Sequence, residues 1–307
     1  MIYPGARWIH RSGKGMEVFG LNQINDVKLE QIDYYPDSHE IFQQVAIADG
    51  LSIVLKNSNK KAPGFNYRYH KAGKTTSTYV DNPGKELLML NPTDSLITNK
   101  TDNFVNEKKL NYISNRILSQ KLFAIESDYV EKNPNLVRDY EEGDLFNYPD
   151  EIKILTNDKA GKMGRAKWYI TDRKNIPSGQ EYIDQWKVVV SSANAGGQKR
   201  DSQMEIIDNM SAFGRSRVAL AVFRTKEEAV NFYNYAKTYL IKFLFLMTDE
   251  SLTSLGKKVI DISDYSNSNT LLDFSKDLNS QLFDIVGLTD KEREYIIGTV
   301  ENIRSSK

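Results

Sequence analysis

Apolar positions along the chain fall into two stretches of regular spacing separated by a polar centre. Met1-Ile-Tyr-Pro4 reads as the end of a strand. Residues 16–25 have helical spacing, with Met16, Phe19 and Ile24 as inward positions. Two strand-like runs follow, Val27-Lys-Leu-Glu-Gln-Ile-Asp-Tyr34 and Leu51-Ser-Ile-Val-Leu55, and the second is apolar enough for a buried strand. Tyr35-Pro-Asp-Ser38 and Ala48-Asp-Gly50 supply turn chemistry between them. Strand, helix, strand, loop, strand is about half a sheet, so its buried face is expected to find partners, either in residues much later in the chain or, the favoured reading, upstream of it.

Residues 58–104 are polar and turn-rich, with Pro63-Gly64, Asn82-Pro-Gly84 and Asn91-Pro92, and a short strand is expected at Leu87–Leu90. Leu110, Ile113, Ile117, Leu118 and Leu122 repeat at three- and four-residue spacing and predict a helix over 104–123. The acidic stretch 126–150 reads as loops. A second α/β pattern starts at 151, with strands expected at Ile152–Leu155, Ala166–Ile170, Trp186–Val190 and Val218–Phe223. A long helix is expected from Thr225, capped by its hydroxyl with Glu228 reciprocating, and its apolar stripe runs from Ala229 to Met247. A terminal helix is expected after Thr289, with Glu292 three residues on. These patterns divide the chain into 1–75, a helical and loop connector at 76–150, and 151–307.

With 307 residues the chain can bury a substantial core. It contains no cysteine, which removes disulfides, thiolate nucleophiles and cysteine-based metal sites and agrees with a cytoplasmic location. The amino terminus does not read as a signal peptide, and the most apolar run, Tyr239–Met247, is too short to span a bilayer. The 41 basic and 41 acidic residues cancel, so any electrostatic case for a polyanion is local. Residues 151–224 carry 13 basic and 8 acidic side chains, against 8 and 13 over residues 81–150.

Candidate chemistry is sparse. His10, His39 and His70 are widely separated, without ligand spacing on one helix. Arg11-Ser-Gly-Lys-Gly15 is glycine-rich, but Met16 stands where a nucleotide-binding loop needs Ser or Thr. A basic surface turn is the plainer reading, although its glycines allow close approach to a phosphate. Asp150-Glu-Ile-Lys153 contains the Glu-x-Lys of metal-dependent nucleases, which also need a separate upstream acid such as Asp144. An ordinary strand start is the favoured reading there.

Three polar, basic loops carry more weight. The first holds Lys159, Lys162, Arg165 and Lys167 around Gly161 and Gly164; the second runs Ser191–Arg200, following Lys187 and ending in Lys199-Arg200; the third contains Arg215 and Arg217. Such side chains neutralise phosphates and meet base edges. Trp168 and Trp186, on alternating strands, are read as core residues rather than base-stacking ones.

Ile2-Tyr-Pro-Gly-Ala-Arg-Trp8, Gly13-Lys-Gly15 with Phe19 behind it, Tyr35-Pro-Asp-Ser-His-Glu-Ile-Phe42 and Val45-Ala-Ile-Ala-Asp-Gly-Leu51 follow one another in an order that resembles adenine-N6 DNA methyltransferases. The similar region is the one after the catalytic Asn-Pro-Pro-Tyr/Phe strand in type II, type IIG-like, restriction–modification enzymes. Trp186-Lys-Val-Val-Val-Ser191, Phe223-x-Thr-x-Glu-Glu-Ala229, Leu272-Asp-Phe274, Leu282-Phe283 and Gly287-Leu-Thr-x-x-Glu292 resemble that family's target-recognition region. The likeness covers residues 1–55 and 180–300.

It implies an α/β fold in which a partial methyltransferase-like sheet at the amino end joins a mixed α/β target-recognition domain. Its partner would be double-stranded DNA, with a missing methyltransferase or nuclease domain or subunit beside it. The chain has no Asn-Pro-Pro-Tyr/Phe motif and no glycine-rich strand turn for S-adenosylmethionine, since Asn91-Pro92 continues as Thr93-Asp94. Catalytic, cofactor-binding and metal residues are therefore expected to lie elsewhere. S-adenosylmethionine would belong to the parent enzyme, as would magnesium if a nuclease domain is present. The expected DNA contacts are Lys162, Arg165, Lys187, Lys199, Arg200, Arg215 and Arg217, with Gly13, Lys14 and Gly15 near the DNA or the target base. The alternatives are an active restriction endonuclease or methyltransferase with unrecognised motifs, or a degenerate subunit that binds the missing catalytic domain.

Overall fold

A computed structural model describes residues 1–4, 7–10, 16–47, 50–80, 91–161, 163–192, 204–247 and 255–305. The chain forms two compact units, Met1–Lys100 and Thr101–Lys307. The segment 76–150, read from the sequence as a connector, gives its first residues to one sheet, at Lys74–Val80, and later ones to another, at Val137–Asp139.

The first unit contains β1 (Ile2–Pro4), α1 (Arg7–His10), α2 (Met16–Ile24), β2 (Leu29–Tyr35), β3 (Leu51–Lys56), β4 (Phe65–Lys71), β5 (Lys74–Val80) and the start of α3 (Pro92–Lys108). Its sheet has the order β1-β3-β2-β4-β5, with β2 and β4 parallel and the other pairs antiparallel. The half-sheet is thus extended by two strands from the stretch expected to be turns. Alternating Phe65, Tyr67 and Tyr69 are the strand signal there; Phe65 and Tyr67 are buried and Tyr69 packs against the same core. Leu87–Leu90 lie outside the described residues.

One face of this sheet is covered by Trp8, Ile9 and Ile24, packed on Ile32, Tyr34, Val54, Phe65 and Tyr67. The Trp8 indole N–H donates to the buried Ser52 hydroxyl at 3.0 Å, satisfying both groups inside that core. On the opposite face β3 is buried at Leu51 but not along its length, and Leu55 is 51% exposed. Met16 is also exposed, unlike Ile24. Gly50, at φ +70°, packs so closely on the Tyr35 carbonyl that a Cβ would collide with it.

The predicted helix at 104–123 begins instead at Pro92, where proline suits the first helical position and the Asn91 side chain accepts from the Thr93 amide at 2.9 Å. It ends before Lys109, which takes φ 53°. The apolar residues beyond then pack singly as an irregular segment, with Ile113 and Phe123 fully buried.

The second unit continues with β6 (Asn111–Tyr112), α4 (Tyr129–Lys132), β7 (Val137–Asp139), β8 (Glu151–Asn157), β9 (Ala166–Asp172), β10 (Trp186–Ser191), β11 (Met204–Ile207), β12 (Ser211–Phe213) and β13 (Arg217–Phe223). After these come α5 (Lys226–Ala236), α6 (Tyr239–Leu246), β14 (Ile260–Asp261), α7 (Leu278–Val286) and α8 (Asp290–Ser305). Strands pair as β12-β8-β9-β7, β11-β10-β13 and β14-β6. The two larger sheets share a core of Ile152, Ile154, Leu155 and Tyr169 with Ile207, Val189 and Ala219, closed by Phe123 and Phe213 in edge-to-face contact at 5.0 Å.

The four strands expected after residue 151 are all present. Helix α5 has the expected capping box between Thr225 and Glu228, but the expected long helix is two. Thr238 is extended (φ −64°, ψ 156°), and its hydroxyl donates to the Tyr235 carbonyl at 2.8 Å. The break lets both halves bury their stripes: Ala229, Phe232, Tyr235 and Ala236, then Leu240, Ile241, Phe243, Leu244 and Phe245. Helix α8 begins as expected, with Thr289 and Glu292 exchanging the same reciprocal bonds. Among the described residues no helix is long and apolar enough to cross a membrane.

Candidate nucleic-acid interface

Among the described residues, the turn joining β8 to β9 is the expected basic loop in which the cations are most accessible. The Asp158 carboxylate accepts from the Arg165 amide at 2.7 Å, while the Asp158 amide donates to the Arg165 carbonyl at 2.9 Å. That exchange closes the loop and holds the Asp158 carboxyl below the usual carboxylate range, with Lys159 and Lys167 contributing. Gly161 takes φ 80°, and at Gly164 a Cβ would strike the Lys159 carbonyl, so the glycines are required by the turn itself. Lys159, Arg165 and Lys167 are exposed around it. Lys162 lies outside the described residues, as do Lys199, Arg200, Gly13, Lys14 and Gly15.

The other expected contacts are engaged within the protein. Lys187 is fully buried: its ammonium donates to the carbonyls of Gln185 (2.6 Å), Ile183 (3.0 Å) and Asp208 (3.3 Å). β10 is the central strand of its sheet and is covered on both faces from Lys187 to Val190, so alternation does not place Lys187 in solvent. Burial pushes its pKa down to about 7, against the pull of Asp208 and Asp184. Arg217 pairs with Glu205 at 2.8 Å across the same sheet, and Arg215 pairs with Glu126 at 2.6 Å. Lys187 is thus removed from the expected DNA contacts, and Arg215 and Arg217 are not free cations. Trp168 and Trp186 are half-buried, with Lys153 over the first ring and Lys226 over the second.

Glu151 and Lys153, the nuclease-like pair, are each occupied. Glu151 accepts from Arg138 at 3.1 Å and from the Asn147 amide. Burial raises the Glu151 carboxyl, but these two donors outweigh it and hold the carboxyl below its usual range. Lys153 pairs with Asp208. Beside Glu151 lies a cleft of about 310 Å³ lined by Arg138, Tyr148, Asp172, Lys174 and Asn175 among others. Its two carboxylates are matched by cations, since Lys174 lies 2.7 Å from Asp172. No group of three or more His, Asp or Glu side chains suited to a metal ion occurs among the described residues.

The sequence matches no protein-family model and no curated protein.

A second polar and basic surface, absent from the sequence expectations, lies on the face of the first unit's sheet opposite its core, where Arg68 is exposed in register with Asp33. His70 stacks on Tyr35 with ring centroids 4.2 Å apart, and its Nε2 lies 2.7 Å from an Asp33 carboxylate oxygen. Its Nδ1 lies 2.9 Å from the Thr75 hydroxyl on the neighbouring strand. Asp33 and His70 are far apart in sequence, and only the parallel pairing of β2 with β4 joins them. A local charge signal did exist: residues 51–80 contain six Lys and Arg and no Asp or Glu. Summing over residues 1–80 hides it, because the seven acidic residues of that segment all precede Gly50.

Proposed function

We propose that this chain recognises double-stranded DNA as the target-reading part of an adenine-modifying restriction–modification enzyme, and that methyl transfer takes place on another domain or subunit. The observation that carries the reading is the β8–β9 turn, where Lys159, Arg165 and Lys167 are exposed around a loop held by Asp158. Lysine and arginine on a turn of fixed shape offer charge at set positions, which is what a regular phosphate backbone selects. The resemblance of residues 1–55 and 180–300 to the methyltransferase family supports the enzyme context. S-adenosylmethionine would act in the parent enzyme; the motifs that hold it and the target adenine are missing from this sequence.

The test is selection from random duplexes at moderate salt, followed by binding measurements across salt concentrations. Replacing Lys159, Arg165 and Lys167 together by glutamine is expected to lower the slope of log affinity against log salt by about 0.9 for each lost phosphate contact. An unchanged affinity and slope would remove this turn from the interface. Absence of any duplex binding by the parent chain would remove the DNA reading altogether.

A further inference from the structure

The β4–β5 hairpin is a narrow ribbon with three exposed cations, as many as the β8–β9 turn shows among the described residues. Arg68, Lys71 and Lys74 are exposed on it, and none forms an ion pair among the described residues. Of the other cations in the acid-free segment, Lys61 is exposed, Lys56 pairs with Asp26 at 2.7 Å, and Lys60 donates to the Leu29 and Gly64 carbonyls. Beside the three hairpin cations runs a hydroxyl-bearing edge: Thr75, Thr76, Ser77 and Tyr79 are exposed on β5, and Tyr79 is 56% accessible. β5 is the last strand of its sheet and pairs only with β4 among the described strands.

The hairpin has a defined shape. Ala72 and Gly73 take φ 49° and 71°, the double positive φ that turns two strands within two residues and matches their twist. Alanine is disfavoured there, and the Ala72 amide is held by the Glu40 carboxylate at 2.9 Å. Further along, the chain from Asp33 through His70 to Thr75 ties β2, β4 and β5 together on the face opposite the core. Cross-strand partners put Arg68 opposite Ser77 and Lys71 opposite Lys74. Two lysines facing each other at a hairpin end repel. A polyanion lying against that end relieves the repulsion.

We infer that the β4–β5 hairpin is a second DNA-contacting element, a two-stranded ribbon whose Arg68, Lys71 and Lys74 meet duplex phosphates while the β5 hydroxyls face the groove. The inference rests on the DNA reading proposed above and extends it to a surface the sequence resemblance does not mark. A duplex is the occupant favoured by the geometry. The major groove admits a two-stranded ribbon, and hydroxyls beside cations are the usual phosphate and base-edge partners. An acidic protein would answer the charge but not the row of small hydroxyls.

The experiment uses the whole chain and a random-sequence duplex of about 20 base pairs, one and a half to two turns of the helix. Binding is measured by fluorescence anisotropy over a series of salt concentrations. Lys71→Gln with Lys74→Gln is expected to weaken affinity by about ten- to a hundredfold near 0.1 M salt and to reduce the salt slope by about 2. Arg68→Gln should reduce it by about 1. Lys71→Arg with Lys74→Arg keeps the charge and should retain affinity. As a control for net charge, Lys276→Gln with Lys291→Gln removes two cations from α7's approach and α8's first turn, and should leave the slope unchanged. Equal losses in the control pair and the hairpin pair overturn the inference, as does an unaltered slope in the hairpin pair. If the β8–β9 variant loses binding while the hairpin variant does not, only this inference fails; if the parent chain binds no duplex, the underlying reading fails with it.

Discussion

Lys187 is an ammonium group whose three donors meet three main-chain carbonyls in a space closed to water. Burial lowers its pKa to about 7 from the 10.5 of an unfolded lysine. Between those values the unfolded chain holds a proton that the folded chain has released, so stability rises with pH across that window. Below about pH 7 both states are protonated, and the cost of burying the charge is present in full. We predict that replacing Lys187 by methionine removes this rise, which amounts to at most roughly 5 kcal/mol. Denaturant unfolding of parent and variant between pH 6 and about 10 measures it; parallel pH profiles would show that Lys187 keeps its proton throughout. The identity of Lys187 is plain in the sequence, yet its role depends on Asp208, Gln185 and Ile183. Arg215 and Arg217 teach the same lesson, because their carboxylate partners Glu126 and Glu205 come from other elements.

Elements that carry their own start signals are legible in the amino-acid sequence alone. Thr225 with Glu228 and Thr289 with Glu292 each satisfy free amide groups of the first helical turn from within four residues. Thr225→Ala is expected to cost about 1–2 kcal/mol, read from urea unfolding, since α5 lies against β10 and β13. Gly73 admits the opposite test. Gly73→Val places a branched side chain at φ 71°, where space is open but the backbone conformation is strained, and it should destabilise the β4–β5 turn without a steric collision. Faster amide exchange confined to β4 and β5 would display that effect. Elements without local signals are misplaced by the sequence pattern. β5 is mostly Thr and Ser, and only Val80 of it packs on the core, so it has no apolar alternation to announce it. The helix over 92–108 is too polar for an apolar stripe to dominate, while the more apolar residues after it fold irregularly.

On the scale of the molecule, each unit closes its own core: Trp8, Ile32 and Tyr67 in the first, Phe123, Ile154 and Phe213 in the second. We predict that Ile32→Ala, which opens a cavity worth about 2–5 kcal/mol, lowers amide protection in residues 1–80 and leaves β8, β10 and β13 protected. Loss of protection throughout would mean that the units unfold as one.

The order of apolar, turn and capping residues was enough to establish an α/β chain, the strands from 151 onward and the starts of α5 and α8, because those features depend on neighbours within a few positions. Strand partners, the surplus strands β4 and β5, the burial of Lys187 and the pairing of Arg215 and Arg217 were settled only in three dimensions. A cation's availability depends on which carboxylate or carbonyl the fold brings beside it, and the chain's local sequence does not specify that neighbour.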